Sequence, residues 1–227
     1  MKQLFKKIYH FRFEFFFVSI LSILFGSLVV PGKIFEETLM PILLLINLAA
    51  GVVLISKHRK LMTVYILLFI FSIFFTGRDF MVKPEQADLF EFGRMAVYFV
   101  FYCIVTVEII SQIWKAKYVS KNVIFGLMNG YIALGLVAFF MFLCIEMANP
   151  GSFHGAFLQE GNFLDRSDSL LYYAFITLMT VGYGDIVPVT VVAQKAAILT
   201  GLCGQFYLVI ITAVVVEKYI RHRVKKE

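Results

Sequence analysis

Charge is what this sequence has least of: 16% of its 227 residues are Asp, Glu, Lys or Arg, against 60% hydrophobic. A water-facing exterior has to be polar, so composition excludes a soluble domain and makes lipid the solvent for most of the chain. Cysteine is nearly absent as well. Cys103, Cys144 and Cys203 lie inside apolar runs, with neither disulfide nor zinc-ligand spacing, and read as small packing residues. The 4 histidines are dispersed, and neither HExxH nor GxSxG occurs, so nothing supports an enzyme. The net charge of +6 does not indicate nucleic acid, because the charges sit in loops between apolar runs.

What the sequence has in abundance is long apolar runs. Six are candidate spans: Phe13–Val30, Leu39–Ser56, Leu61–Thr76, Met95–Trp114, Val123–Met147 and Val189–Val216. Each is near or above the length needed to cross about 30 Å of hydrocarbon, the third being the shortest. The first run follows basic residues, as a secretory signal would, but it is long for one and no small-x-small cleavage site follows, so it reads as a retained helix. A shorter stretch, Ser169–Met179, cannot cross and reads as a re-entrant helix.

Basic residues orient these spans. Lys2, Lys6, Lys7, Arg12, Lys57, Arg59, Lys60, Lys115, Lys117, Lys121 and the tail from Lys218 to Lys226 fall on one side. The opposite loops mix Lys33, Arg78, Lys83, Arg94 and Arg166 with Glu36, Glu37, Asp79, Glu85, Asp88, Glu91, Glu160, Asp165 and Asp168. The positive-inside rule then makes both termini cytoplasmic, and the re-entrant segment enters from outside. The basic tail acts topogenically and can attract anionic lipid.

Between the last two spans lies LLYYAFITLMTVGYGDIVP, Leu170–Pro188. Backbone at membrane depth must be hydrogen-bonded or must line a wet pathway, and TVGYGD suits the second case. For consecutive carbonyls to face one axis, the chain must alternate ordinary and left-handed conformations, which Gly182 and Gly184 reach without steric cost. Val181 and Tyr183 then turn their side chains away from that axis, and Thr180 adds a hydroxyl below its own carbonyl. Such a ladder of oxygens suits a dehydrated monovalent cation.

TVGYGD resembles the selectivity filter of the potassium channel superfamily, and the likeness runs from about Asn122 to Val216. LLYYAFITLMT resembles the pore helix, with its aromatic pair at Tyr172 and Tyr173, and GQFY at Gly204–Tyr207 resembles an element of small prokaryotic members. The resemblance implies potassium bound by the carbonyls of Thr180, Val181, Gly182 and Tyr183 and by the Thr180 hydroxyl. Gly184 would close the filter, and Asp185 would bond behind it, with Tyr172 as a donor. Ile176 stands where some members carry a buried glutamate, so any contact from that side chain is lost. Glu146 either braces the fifth helix against the outer pore loop or is simply solvated. Gly204, twenty residues after Gly184, is placed as a gating hinge, with close packing beside Gly201 as the alternative.

The implied architecture is an all-α membrane protein with six transmembrane helices, a re-entrant pore helix and a filter loop. Residues 1–121 would form a peripheral four-helix domain and 122–227 the pore domain, assembled as a homotetramer in the plasma membrane. Potassium is the permeant ion, and no cofactor or nucleic acid is implied. A weakly selective cation channel is the nearest alternative. A transporter of the Trk/Ktr type would fuse four degenerate pore units, whereas this chain has one intact unit.

A voltage sensor needs several arginines at every third position of the fourth helix, and Met95–Trp114 contains no basic residue. Arg94 lies at its edge and Glu108 has the wrong sign. Glu14 and Glu108 read as interfacial acids that pair with Arg12 or Lys115, a proton-sensing role being the alternative. Asn47 reads as a helix–helix hydrogen-bonding residue. Even four copies of Arg94 crossing the whole field would supply only about 9 kcal/mol per 100 mV, and a boundary residue does not travel that far. Arg94→Gln should therefore leave the conductance–voltage curve of reconstituted protein superimposable on wild type. A steep dependence lost with Arg94 would count against this reading.

Overall fold

The computed structural model describes residues 11–31, 34–55, 59–81, 89–116, 118–155 and 163–224. Lys2, Lys6, Lys7, Lys33, Lys57, Lys83, Glu85, Asp88, Lys117, Glu160, Lys225 and Lys226, named above for topology, lie outside them. The protein is an all-α membrane protein. Its helices are α1 (Arg12–Phe25), α2 (Met40–Ile55), α3 (Arg59–Met81), α4 (Leu89–Lys115), α5 (Lys121–Ala148), α6 (Phe163–Leu178), α7 (Val191–Phe206) and α8 (Thr212–Val224). Two short strands, β1 (Phe153–Gly155) and β2 (Ile186–Pro188), complete the order.

Among the described residues, four helical segments are long and apolar enough to cross a membrane: Leu61–Arg78, Phe90–Lys115, Lys121–Ala148 and Val191–Ile220. The first two apolar runs come up shorter than expected. α1 has 14 residues and gives way to a 3-10 turn at Gly26–Leu28, while α2 has 16 and is preceded by a π turn at Phe35–Leu39. A close contact lies at this point. The buried Phe35 ring fills the space where a side chain at Gly26 would stand, and a Cβ there would collide with it. Hydropathy alone cannot register that contact.

The chain divides into two compact units, each drawing on parts of α4 and α5. One comprises the chain up to Lys83 with Ile104–Ala116 and Ser120–Gly130; the other comprises Pro84–Cys103, Lys117–Val119 and Tyr131–Glu227.

In the first unit α1 packs on α2, and its buried Phe13, Phe16, Ile20 and Ile23 are spaced at three and four residues as one helical face requires. Asn47, fully buried, donates to Ser19 Oγ at 2.8 Å and to the Phe16 carbonyl at 3.4 Å. This is the interhelical role expected of it. Asn129, also fully buried, donates to the Phe13 carbonyl at 2.8 Å. One turn earlier, a Cβ on Gly126 would stand 3.2 Å from Ile113 and 3.4 Å from Phe13, so the glycine lets three helices meet closely. Arg12 and Glu108 share a partner in Gln112. Arg12 Nη2 donates to Gln112 Oε1 at 3.3 Å, and Gln112 Nε2 donates to Glu108 Oε1 at 2.9 Å and to the Leu54 carbonyl at 3.1 Å. At the start of α4, in the second unit, Arg94 pairs with Glu91 one turn away.

The second unit is built on aromatic packing. The Tyr102 ring stacks on Phe140 at 5.5 Å, and Tyr98 lies 5.3 Å from the same ring.

Removing the Asn129 donor should cost about 0.6–1.7 kcal/mol, the range found for side-chain hydrogen bonds inside membranes. Asn129→Leu is expected to lower the unfolding midpoint in detergent, and Asn47→Leu by a similar amount. Unchanged midpoints in both variants would show that these bonds do not hold α1 in place.

Candidate ion-binding loop

The loop starts from the C-terminal end of α6. The Thr180 amide continues the helical pattern by donating to the Thr177 carbonyl at 3.0 Å. The Ile176 carbonyl then accepts two amides, Val181 at 2.8 Å and Gly182 at 3.4 Å. Ile176 thus anchors the loop through its backbone while its side chain is buried.

Beyond this anchor the backbone alternates. Positive φ occurs at Thr180 (58°), Gly182 (56°) and Gly184 (83°), with ordinary values between them. A Cβ on Gly182 or Gly184 would meet nothing within 4 Å, so the requirement for glycine is conformational and not steric. Thr180 is the only non-glycine residue with positive φ among the described residues, and a β-branched side chain there is strained by roughly 1–3 kcal/mol. The Val181 and Tyr183 side chains are exposed in the single chain, Tyr183 to 73%.

The far end of the loop is held by Asp185 and the ribbon. The neighbouring Asp185 carboxylate, more than desolvation, raises the Tyr172 phenol above its ordinary pKa. Asp185 Oδ1 accepts from the Ile186 amide at 3.1 Å. Tyr173 faces the other way. Its ring lies 5.2 Å from Phe142 and 5.5 Å from Phe153, a cluster joining α5, α6 and β1.

β1 and β2 pair antiparallel, with Phe153 opposite Pro188, His154 opposite Val187 and Gly155 opposite Ile186. A Cβ on Gly155 would stand 2.9 Å from the Asp185 carbonyl oxygen, so β1 approaches the end of the loop at its backbone. Glu146, near the end of α5, fixes β1 from behind: Oε1 accepts from the Gly151 amide at 2.8 Å and Oε2 from the Phe153 amide at 3.1 Å. The carboxylate is thus a brace between α5 and the strand that pairs with β2. The ribbon itself has no signature in the sequence.

Gly204 is buried, and a Cβ there would collide with the Leu178 carbonyl oxygen. α7 thus meets the end of α6 backbone to backbone. Three residues on, the helix departs from α geometry in a π turn, Tyr207–Ile211, where the Tyr207 amide is shared by the Cys203 and Gly204 carbonyls. Gln205, given no role in the sequence reading, donates from Nε2 to Thr180 Oγ1 at 3.2 Å. The signal available was a lone amide in the apolar run after Gly204.

Residues 131–221 match the family model described as Ion channel. The potassium voltage-gated channel subfamily A member 5 of Mus musculus is 27% identical over 92 residues, which are 40% of this chain and 15% of that protein. The inward rectifier potassium channel Kirbac3.1 of Paramagnetospirillum magnetotacticum is 29% identical over 104 residues, 46% of this chain and 28% of that one. Over these residues the chain is similar to potassium channels. The chain spans less than a third of the length of either relative, and no solved structure matches it. The matched region includes the whole of TVGYGD, β2, α7 and the π turn.

The Gly204 contact separates packing from bending. Gly204→Ala should lower the thermal midpoint of the assembled protein, because overpacking against backbone costs about 1–3 kcal/mol. Gly201→Ala is the control, since a Cβ there lies 3.9 Å from the Thr177 carbonyl, an ordinary contact. Equal melting of the two variants, with open probability altered only by Gly204→Ala, would favour the hinge.

Proposed function

We propose that four copies of this chain form a potassium-selective pore, each contributing Thr180–Asp185 as one strand of a carbonyl-lined filter. The observation that carries this reading is the alternation of left-handed and ordinary backbone at Thr180, Gly182 and Gly184. Alternation of that kind lets successive carbonyls line one side of a strand, replacing the hydration shell of a cation. In this reading potassium is held by the carbonyls of Thr180, Val181, Gly182 and Tyr183 and by the Thr180 hydroxyl. Gly184 and Asp185 close the outer end, supported by Tyr172, Tyr173 and Glu146.

One strand cannot surround an ion, so the reading requires a closed four-fold ring. The exposed Val181 and Tyr183, and the exposed Ile198, Leu202, Phe206 and Val209 of the last helix, suit neighbouring copies and lipid. The peripheral helices complete a six-span subunit with both termini cytoplasmic, in the plasma membrane, where the basic tail meets anionic lipid. Conduction is passive. The absence of basic residues from Met95–Trp114 sets the protein apart from conventional voltage gating, and the gating hinge, if α7 bends at Gly204, sits beside the packing contact with Leu178.

Reversal potentials of purified protein in planar bilayers under potassium/sodium gradients test the reading. A strong preference for potassium is expected, and a wild-type reversal near zero would leave only a weakly selective cation pore. Gly182→Ala should abolish selectivity or conduction, because the methyl group disfavours φ near +56°. Mass measurement in nanodiscs should show four chains, and a dimer as the sole conducting species would contradict the four-fold ring.

A further inference from the structure

The Gln205 side chain touches the loop at its first hydroxyl, that of Thr180. Its Nε2 donates to Thr180 Oγ1 at 3.2 Å, and both residues are exposed in the single chain. The reach depends on Gly204. With no Cβ at that position α7 lies against the Leu178 carbonyl, which brings the next residue to the start of the loop. Thr180 has little freedom to move away: its amide is held by the Thr177 carbonyl, and a β-branched side chain is stiff at χ1. The Gln205 amide therefore determines how the Thr180 hydroxyl is presented.

We propose that Gln205 is a positioning residue that weakens cation binding at Thr180, so that an ion at this end of the filter leaves readily. The inference rests on the filter reading above. A hydroxyl oxygen has two lone pairs, and the amide proton occupies one of them. A cation on the other lone pair then sits close to the partial positive charge of that proton, and the oxygen serves it less well. Conduction requires each site to be weak enough for release as well as favourable enough for entry. Four backbone carbonyls leave little room to vary a site's strength by mutation, whereas a side-chain donor on its hydroxyl varies it directly. Gln205 is thereby specificity-determining for the end of the filter nearest α7, without itself binding the ion.

The probe is barium, a divalent ion of nearly the size of potassium, applied to each face of the full-length protein in planar bilayers. Gln205→Met keeps the length of the side chain and removes the donor. It should tighten barium block by about 3- to 10-fold, the range of one net hydrogen bond. In a Thr180→Ala background the same change should add nothing, because the oxygen it acts on is gone. Unchanged or weaker block in Gln205→Met overturns the proposal, as does equal tightening with and without the Thr180 hydroxyl. If Thr180→Ala does not conduct, barium-induced thermal stabilisation of the purified protein reads the same four affinities. The wild-type potassium/sodium reversal potential tests the filter reading separately. A reversal near zero with an intact Gln205 effect sinks only that reading, and a large reversal without a Gln205 effect sinks only this inference.

Discussion

Backbone inside a bilayer has to satisfy its own polar groups or face water, and Thr180–Asp185 is the stretch that helical bonding leaves over. The rest of the second unit serves to hold it. At one end the Ile176 carbonyl accepts two amides from the loop. At the other, the Asp185 carboxylate accepts from the Ile186 amide, and the β1–β2 ribbon ties the following residues to the end of α5 through Glu146. Neither end relies on a charge pair. The first uses backbone groups alone and the second adds the carboxylates of Asp185 and Glu146, which suits a site whose own chemistry would be made of carbonyl dipoles.

Parts of this arrangement are legible in the sequence because one residue type carries one conformation. Gly182 and Gly184 announce left-handed backbone, and the structure has it at both. Thr180 shares that conformation without any sign in its side chain, since threonine is disfavoured there. The ribbon was not legible either. Strands of three residues are too short for alternation to register, and the close approach at Gly155 appears only when Asp185 is alongside. For Glu146, an acid at a helix end fits bracing and solvation equally well, and the two amides within 3.1 Å identify the brace.

Helix lengths show the same limit. Apolar runs mark where chain can enter lipid, and α4, α5 and the last helix follow them closely. The first run gives way to a 3-10 turn at Gly26, where Phe35, nine residues away in sequence, takes the space beside it. Elsewhere in that unit, polar side chains inside apolar runs meet one another or a backbone carbonyl, as Asn47, Asn129 and Gln112 do. Such pairs fix the rotation of one helix against the next, a specificity that apolar packing against lipid does not provide.

The contact between Gly204 and Leu178 has a mechanical side. Where two helices touch through side chains, rotamers can shift and absorb a displacement of either axis. Here a glycine Cα faces a carbonyl group directly, and nothing compliant stands between. A turn or tilt of α7 at this level would press on the last turn of α6. That turn carries the Ile176 carbonyl, from which the amides of Val181 and Gly182 hang, so the stiffness of one joint couples the long helix to the loop as a lever is coupled to its fulcrum.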